Sequence, residues 1–393
     1  MHLFIIHQFP DLDNFAPIIY NLKKKGENVS VLNLFPVNDF KKISIGNFLL
    51  ENKVHFYELR NINILNKILF LLIKIVLLFN KKNNYIFYNI YHKLNLFSSN
   101  QFSDFLKRKK IKTISLDTSL PNRFQKIIFS TKNKNNINVI KYGGAPDLKK
   151  EVYIDKEKIY NCDYFITSNK AKPKDLNGFE IKKIKSFESI RFTNSWIKTI
   201  SKISKSNKKR SFFNSNKSLK ILIFHRPLFP DKVWFELSSN LKSIDNFEVV
   251  LKLKPRGIFP IQYRYKKNEI ESLSSSELID WADVILTHST SLVLEALIKK
   301  KKIFYLSFFS KNRKLQFNNK NYSNDKYIFE NYSIFDKIDS SSELIKKLRL
   351  CAKDKKKFKN NKVKIQNFFN KELDYNYEKD NFNIYYNFYK RLI

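Results

Sequence analysis

Residues 281–297 read Trp-Ala-Asp-Val-Ile-Leu-Thr-His-Ser-Thr-Ser-Leu-Val-Leu-Glu-Ala-Leu. An apolar run ends at Leu286, and His288, Ser289, Thr290 and Ser291 stand before a helix-like stretch with Glu295 in its second turn. Free amides and hydroxyls at a helix start bind anions such as a diphosphate or carboxylate. The same residues also fit a plain Ser/Thr cap with Glu295 as capping-box partner, so the pattern leaves both readings open. A second run, 249–257, ends an apolar stretch in Lys252, Lys254 and Arg256 around Pro255. The proline stiffens the turn, the guanidinium can grip a phosphate with two bonds, and the lysines add point charge. A solvated basic loop is the alternative. His225 and Arg226 close a third apolar run.

Transfer of a group to a hydroxyl needs a base to take the proton. Three candidates follow apolar runs: His7, Asp117 and Asp147. Each has a plain alternative as a surface or turn residue. Asp11-Leu12-Asp13 spells a DxD pair, but its place between a strand and a helix-like segment reads as an N-cap. There is no HExxH and no histidine cluster, and Cys162 and Cys351 form neither a zinc set nor a disulfide framework. Six glycines, none in GxGxxG or GxxxxGK[ST], exclude a Gly-rich dinucleotide turn and a Walker cradle. The expectation is no metal and no cofactor.

These residues need strands to end beside them. Apolar runs at 3–7, 29–34, 54–59, 85–90, 113–116, 138–142 and 164–167 read as strands, with helix-like stretches at 14–25, 64–79 and 98–109. Polar residues 201–218 read as a linker. Alternation resumes with strands at 220–224, 247–253, 284–286 and 303–306 and helices at 234–241, 275–281 and 291–299. Strands alternating with helices predict parallel βαβ sheets. The predicted organisation is an α/β domain over 1–200, a linker over 201–218, a second α/β domain over 219–340 and helices over 341–393. Ligands of such sheets bind beyond the carboxyl ends of strands, here in the cleft between domains.

The chain of 393 residues carries 74 basic and 36 acidic side chains, a net charge of +38. That charge calls for an anionic partner. A/T-rich codon usage (abundant Lys, Asn, Ile and Phe) accounts for much of it, and Trp196, Trp234 and Trp281 are too scattered to stack bases, which argues against nucleic acid. The start is no signal peptide, and the thiols fit a reducing cytoplasm. Ile64–Phe79 is interrupted by Lys67 and Lys74, which favours a core helix, or one lying on a membrane surface, over a span.

Taken together, 281–306, 249–257, 187–197 and the Gly143-Gly144 pair resemble the bacterial surface-carbohydrate biosynthesis proteins, which include capsule polysialyl- and Kdo-type transferases and CDP-glycerol glycerophosphotransferase-like proteins. The resemblance spans about 137–306. It implies a GT-B-like fold, two facing Rossmann-like domains with the donor held by the second, and metal-independent transfer from a nucleotide-activated sugar to a glycan or glycolipid. The donor would be held by His225, Arg226, Lys252, Lys254, Arg256, His288, Ser289, Thr290, Ser291 and Glu295. An anionic membrane would be a peripheral partner on the cytoplasmic side. Lys254 and Gly143 stand where these proteins carry histidine, so a base must come from elsewhere. The alternatives are polyol-phosphate transfer, a non-catalytic polyanion or glycan binder on a decayed scaffold, and a nucleotide-sugar epimerase.

Overall fold

A computed structural model of the chain describes residues 1–7, 9–34, 44–59, 68, 71–72, 97–118, 120–143, 161–167, 184–206, 219–225, 231–252, 274–288, 290–311, 332–355, 360–373 and 375–393. The expected strand at 85–90 and the site residues Asp147, Arg226, Lys254, Arg256 and Ser289 lie outside them.

Two parallel sheets form the framework. The first has the order β3-β2-β1-β4-β5-β6-β7, from β1 (His2–Ile6), β2 (Val29–Asn33), β3 (His55–Tyr57), β4 (Thr113–Asp117), β5 (Asn138–Tyr142), β6 (Tyr164–Thr167) and β7 (Ile184–Ser186). The second has the order β12-β11-β10-β8-β9, from β8 (Leu219–Phe224), β9 (Phe247–Lys252), β10 (Val284–Thr287), β11 (Lys302–Leu306) and β12 (Asp336–Ile338). The central strands are buried along their length: all five residues of β1, β2 and β4 are. Helices cover both faces, so these strands read as unbroken apolar runs and not as an alternation.

Each sheet is clamped between two cores. In the first domain, Phe4, Ile6, Phe15 and Trp196 lie on one face and Leu3, Ile5, Phe102 and Ile114 on the other. In the second, Leu222, Ile285, Leu294 and Tyr305 oppose Ile221, Trp234, Leu286 and Phe304. The helices contributing to these layers are α1 (Phe9–Lys24), α2 (Ser44–Glu51), α3 (Ser99–Arg108), α4 (Asn122–Asn135), α5 (Asn194–Ser206), α6 (Asp231–Lys242), α7 (Ser275–Trp281), α8 (Leu292–Ile298), α9 (Phe308–Lys311), α10 (Ser341–Lys353), α11 (Lys362–Asn367) and α12 (Phe382–Lys390). Helix α3 starts on a complete capping box, Ser98 with Gln101, and α7 on another, Ser274 with Glu277.

The structure departs from the sequence reading in several places. Helix α1 starts at Phe9, not at residue 14, because Pro10 falls in its first turn, where a missing N–H is no loss. Residues 201–206, grouped with the linker by composition, continue helix α5. The C-terminal helix α12 returns to the first domain, where Tyr385, Phe388 and Tyr389 join its core. There the Tyr389 hydroxyl lies 2.6 Å from Ser115 Oγ and 2.7 Å from Tyr142 Oη.

Candidate functional site

Parallel strands end on one edge, so each sheet presents its strand-end residues together. His7 follows the last residue of β1. Its ring Nδ1 lies 2.7 Å from Asp11 Oδ2, and its backbone N–H donates to the same oxygen at 3.1 Å. Asp11 is fully buried in the first turn of α1. A carboxylate at Nδ1 fixes a proton there and leaves acceptor character on Nε2, the arrangement of a general base. Asp11 is therefore no N-cap: it reaches back across the helix start and orients His7.

Asp13, two residues along the same helix, takes Arg191. The guanidinium donates from Nη2 to Asp13 Oδ2 at 3.3 Å and from Nη1 to Asn14 Oδ1 at 3.0 Å. Pro17 lacks the amide that would otherwise bond the Asp13 carbonyl. The Asp13 side chain keeps 40% of its surface accessible. Desolvation pushes its carboxyl above the usual range, against the pull of Arg191; the charges of Glu295 and Asp11 add to the rise, and Lys252 opposes it. Lys252 and Glu295 belong to the second domain. The start of α1 thus lies within electrostatic reach of the end of β9 and of helix α8.

The short helical turn Ile190–Phe192 positions Arg191. Ile190 is buried in the first domain's core and Phe192 in the second's, which leaves Arg191 between them. The C-terminal chain grips this turn. Tyr375 Oη donates to the Ser189 carbonyl at 2.5 Å, Tyr385 Oη donates to the Glu188 carbonyl at 3.2 Å, and Asn381 donates to the Glu188 carboxylate.

In the second sheet, Phe224 pairs with Lys252 and Thr287 with both Phe224 and Tyr305, so four strands end in one row. Lys252 closes β9, half-buried. Thr290 and Ser291 lead into α8, half-buried, and Thr290 Oγ1 accepts from the Leu292 amide at 3.4 Å. No capping box forms. Ser291 makes no side-chain cap bond, and Glu295 turns instead to Lys299, whose Nζ lies 2.9 Å from its Oε1 and 3.0 Å from Asp280 Oδ1. His288 is 1% exposed and packs on the Tyr305 ring at 5.4 Å. His225 is buried edge-on to Trp234 at 5.8 Å. Asp117 ends β4, buried, and its carbonyl accepts the Leu120 amide in a turn.

The structure pairs His7 with Asp11 and sets Asp13 within reach of the charges of Lys252 and Glu295. It adds Asp11, Asp13 and Arg191, which spacing alone assigned to a cap and to a motif. The clue for Asp11 was an acid four residues after a strand-end histidine. No group of His, Cys, Asp and Glu among the described residues is placed to hold a metal ion.

No family model and no curated protein matches the sequence. Solved structures match over the whole chain. The UDP-GlcNAc 2-epimerase from Neisseria meningitidis bound to UDP-GlcNAc superposes with a TM-score of 0.54 at 11% identity, covering 100% of this chain and 98% of that one. The wall teichoic acid polymerase TagF with CDPG gives 0.53 at 12%, over 100% and 88%. The Anabaena protein Alr3699/HepE, in complex with UDP and glucose, gives 0.52 at 9%, over 99% and 98%. At such identities the likeness speaks for architecture, and with two facing parallel-sheet domains the chain has the GT-B fold.

Proposed function

We propose that this chain is a glycosyltransferase that moves a sugar from a nucleotide-activated donor, CMP-linked acidic sugars included, to a hydroxyl of a surface glycan or glycolipid. The observation that carries this reading is the His7–Asp11 pair at the end of β1. His7 Nε2 takes the acceptor hydroxyl proton as the new glycosidic bond forms and the bond to the donor phosphate breaks. The departing nucleotide gathers negative charge. Lys252, with Lys254, Arg256, Thr290 and Ser291, receives it, and preplaced charge of this kind supplies the largest share of such catalysis. Helix α8 has seven residues, so its hydroxyls and the lysines, more than its own field, hold the anion. Arg191, locked to Asp13 and Asn14, presents a further cation at the cleft. The reaction needs no metal and no cofactor. It belongs at the cytoplasmic face of an anionic membrane, in capsule or lipopolysaccharide synthesis.

Transfer of a polyol phosphate would use the same anion site, and TagF, solved with CDPG, shares the fold. Product mass separates the two, since a phosphodiester retains phosphorus.

The test is a thermal-shift panel of CMP, CDP, UDP and GDP with their sugar and glycerol conjugates. A ligand at about 100 times its Kd adds roughly 2.7 kcal/mol, a readable shift. Transfer from the selected donor is lost in His7→Ala and falls in Thr290→Ala and His288→Ala. No shift with any nucleotide overturns the reading in favour of a polyanion binder on this scaffold.

A further inference from the structure

We propose that Glu188 is a positioning residue: it joins the C-terminal segment 375–388 to the turn that presents Arg191, and so holds that guanidinium at the start of α1. Glu188 is half-buried, and its three oxygens all face that segment. Asn381 Nδ2 donates to Oε2, Tyr385 Oη donates to the carbonyl at 3.2 Å, and the Asn376 amide lies 3.5 Å from Oε1. These partners are all neutral, in a chain with 74 basic side chains against 36 acidic. A lysine would bring point charge; amide and phenol donors bring direction.

Asn381 shows that the contact is favoured over an ordinary one. It stands at the N-cap of α12, where asparagine is a preferred residue because its side-chain oxygen takes a free helix amide. Here it makes no cap bond. The residue is 1% exposed, its Nδ2 goes to Glu188, and its Oδ1 is buried with no hydrogen-bond partner. An orphaned buried acceptor is unfavourable, so the bond to Glu188 is kept at the expense of the cap.

The hold extends to both sides of Arg191. Before it, Tyr375 Oη donates to the Ser189 carbonyl, and the Phe187 ring meets Tyr385 and Phe388 edge-on at 5.2 and 5.4 Å. After it, the Asn194 amide donates to the Tyr377 carbonyl at 2.8 Å. Inside the turn the backbone bonds are long, 3.4 Å from Phe192 to Ser189 and 3.3 Å from Thr193 to Ile190. So short a helical turn fixes its own direction poorly, and the outer bonds set it. The same segment also anchors α1, since Asn21 Nδ2 donates to the Phe382 carbonyl at 3.0 Å.

The segment crosses between the cores as the turn does. Tyr375 and Tyr377 are buried in the second domain's core, Tyr385 and Phe388 in the first's. Glu188, Ser189 and Asn194 bond the two crossings together. The turn and α1 therefore share one anchor, which presets the Arg191–Asp13 contact. A guanidinium already fixed loses less freedom when an anion arrives. That consequence for catalysis rests on the transferase reading; the clamp does not.

The test uses Glu188→Gln in the full chain. Glutamine keeps the size but turns an NH2 toward a donor, Asn381 or Asn376, so one bond is lost. The first measurement is amide hydrogen exchange. Exchange in peptides spanning 188–194 should speed about tenfold or more, while peptides of β1 and β4 keep their rates. The second is turnover at saturating concentration of the donor that gives a thermal shift. There kcat falls roughly tenfold or more, and Arg191→Met and the Glu188→Gln/Arg191→Met double variant turn over alike, because Glu188 acts through Arg191. A role in stability alone gives a lower Tm, faster exchange in both sheets and unchanged kcat well below Tm, and that result overturns the proposal. Unchanged exchange at 188–194, or losses that multiply in the double variant, also overturn it. If Glu188→Gln does not fold, Asn381→Ser is read the same way: it removes the bond from the other side and leaves a capping hydroxyl. A chain that binds no nucleotide fails the transferase reading alone, and exchange at 188–194 then decides the clamp.

Discussion

Asp11→Asn isolates the contribution of the carboxylate behind His7. The substitution keeps shape and volume in a fully buried site, so packing and cleft geometry are held constant. It removes the charge that meets the ring Nδ1 at 2.7 Å and the backbone N–H at 3.1 Å. A hydrogen bond to a charged partner contributes about 1.5–3 kcal/mol. If that energy holds the ring with its proton on Nδ1, its loss lets the amide turn its NH2 to the ring and favours the other tautomer, with Nε2 protonated and useless as a base. At about 1.4 kcal/mol per factor of ten, turnover falls roughly 10- to 150-fold. The assay is release of nucleotide from the donor found by thermal shift, measured over a range of acceptor and donor concentrations. The reduction falls on kcat, with donor KM and the nucleotide-induced shift unchanged, because Asp11 acts through His7, the proposed base. His7→Ala costs more, and the double variant costs little beyond His7→Ala, since the two act as one unit. Wild-type turnover in Asp11→Asn, or a loss confined to donor binding, refutes the assignment.

Other expectations concern the frame that holds this site. His2, at the other end of β1, is fully buried with Nδ1 2.8 Å from Thr113 Oγ1, and burial pulls its pKa down to about 3. The folded chain keeps His2 neutral where the unfolded chain takes a proton, so this stability is complete above about pH 6.5 and is lost as pH falls towards 3. From pH 7 to pH 5 the loss is about 2 kcal/mol, read by urea unfolding as the part of the pH dependence that disappears in His2→Gln; an identical profile in the variant counts against it. Lys299→Met strands Glu295, of which only 8% of the side chain is exposed, and should cost about 3–5 kcal/mol, seen as a fall in Tm that Glu295→Gln partly restores. Tyr389→Phe leaves the buried hydroxyls of Ser115 and Tyr142 without their shared partner and should cost about 1–3 kcal/mol in denaturant unfolding.

The sequence alone specifies the central strands of the two sheets. Buried parallel strands must be apolar along their whole length, so the runs at 29–34, 138–142 and 164–167 are visible without any tertiary information, and the observed strands fall within a residue of them. Short strands with few apolar residues, such as Ile184–Ser186 and Asp336–Ile338, leave no such trace. The rule that ligands bind at the carboxyl ends of strands likewise points to His7 and Lys252, which end β1 and β9. What the chain did not reveal is which residues meet. Asp11 is local to His7, but its role depended on a helix starting at Phe9, where Pro10 resembles a breaker. Arg191 and Asp13 lie far apart in the chain and meet because Ile190 and Phe192 are buried in different cores. The return of α12 to the first domain rests on Tyr389 finding Ser115 and Tyr142, a pairing carried by no local pattern. Periodicity reports which face of an element is buried; only packing decides against what.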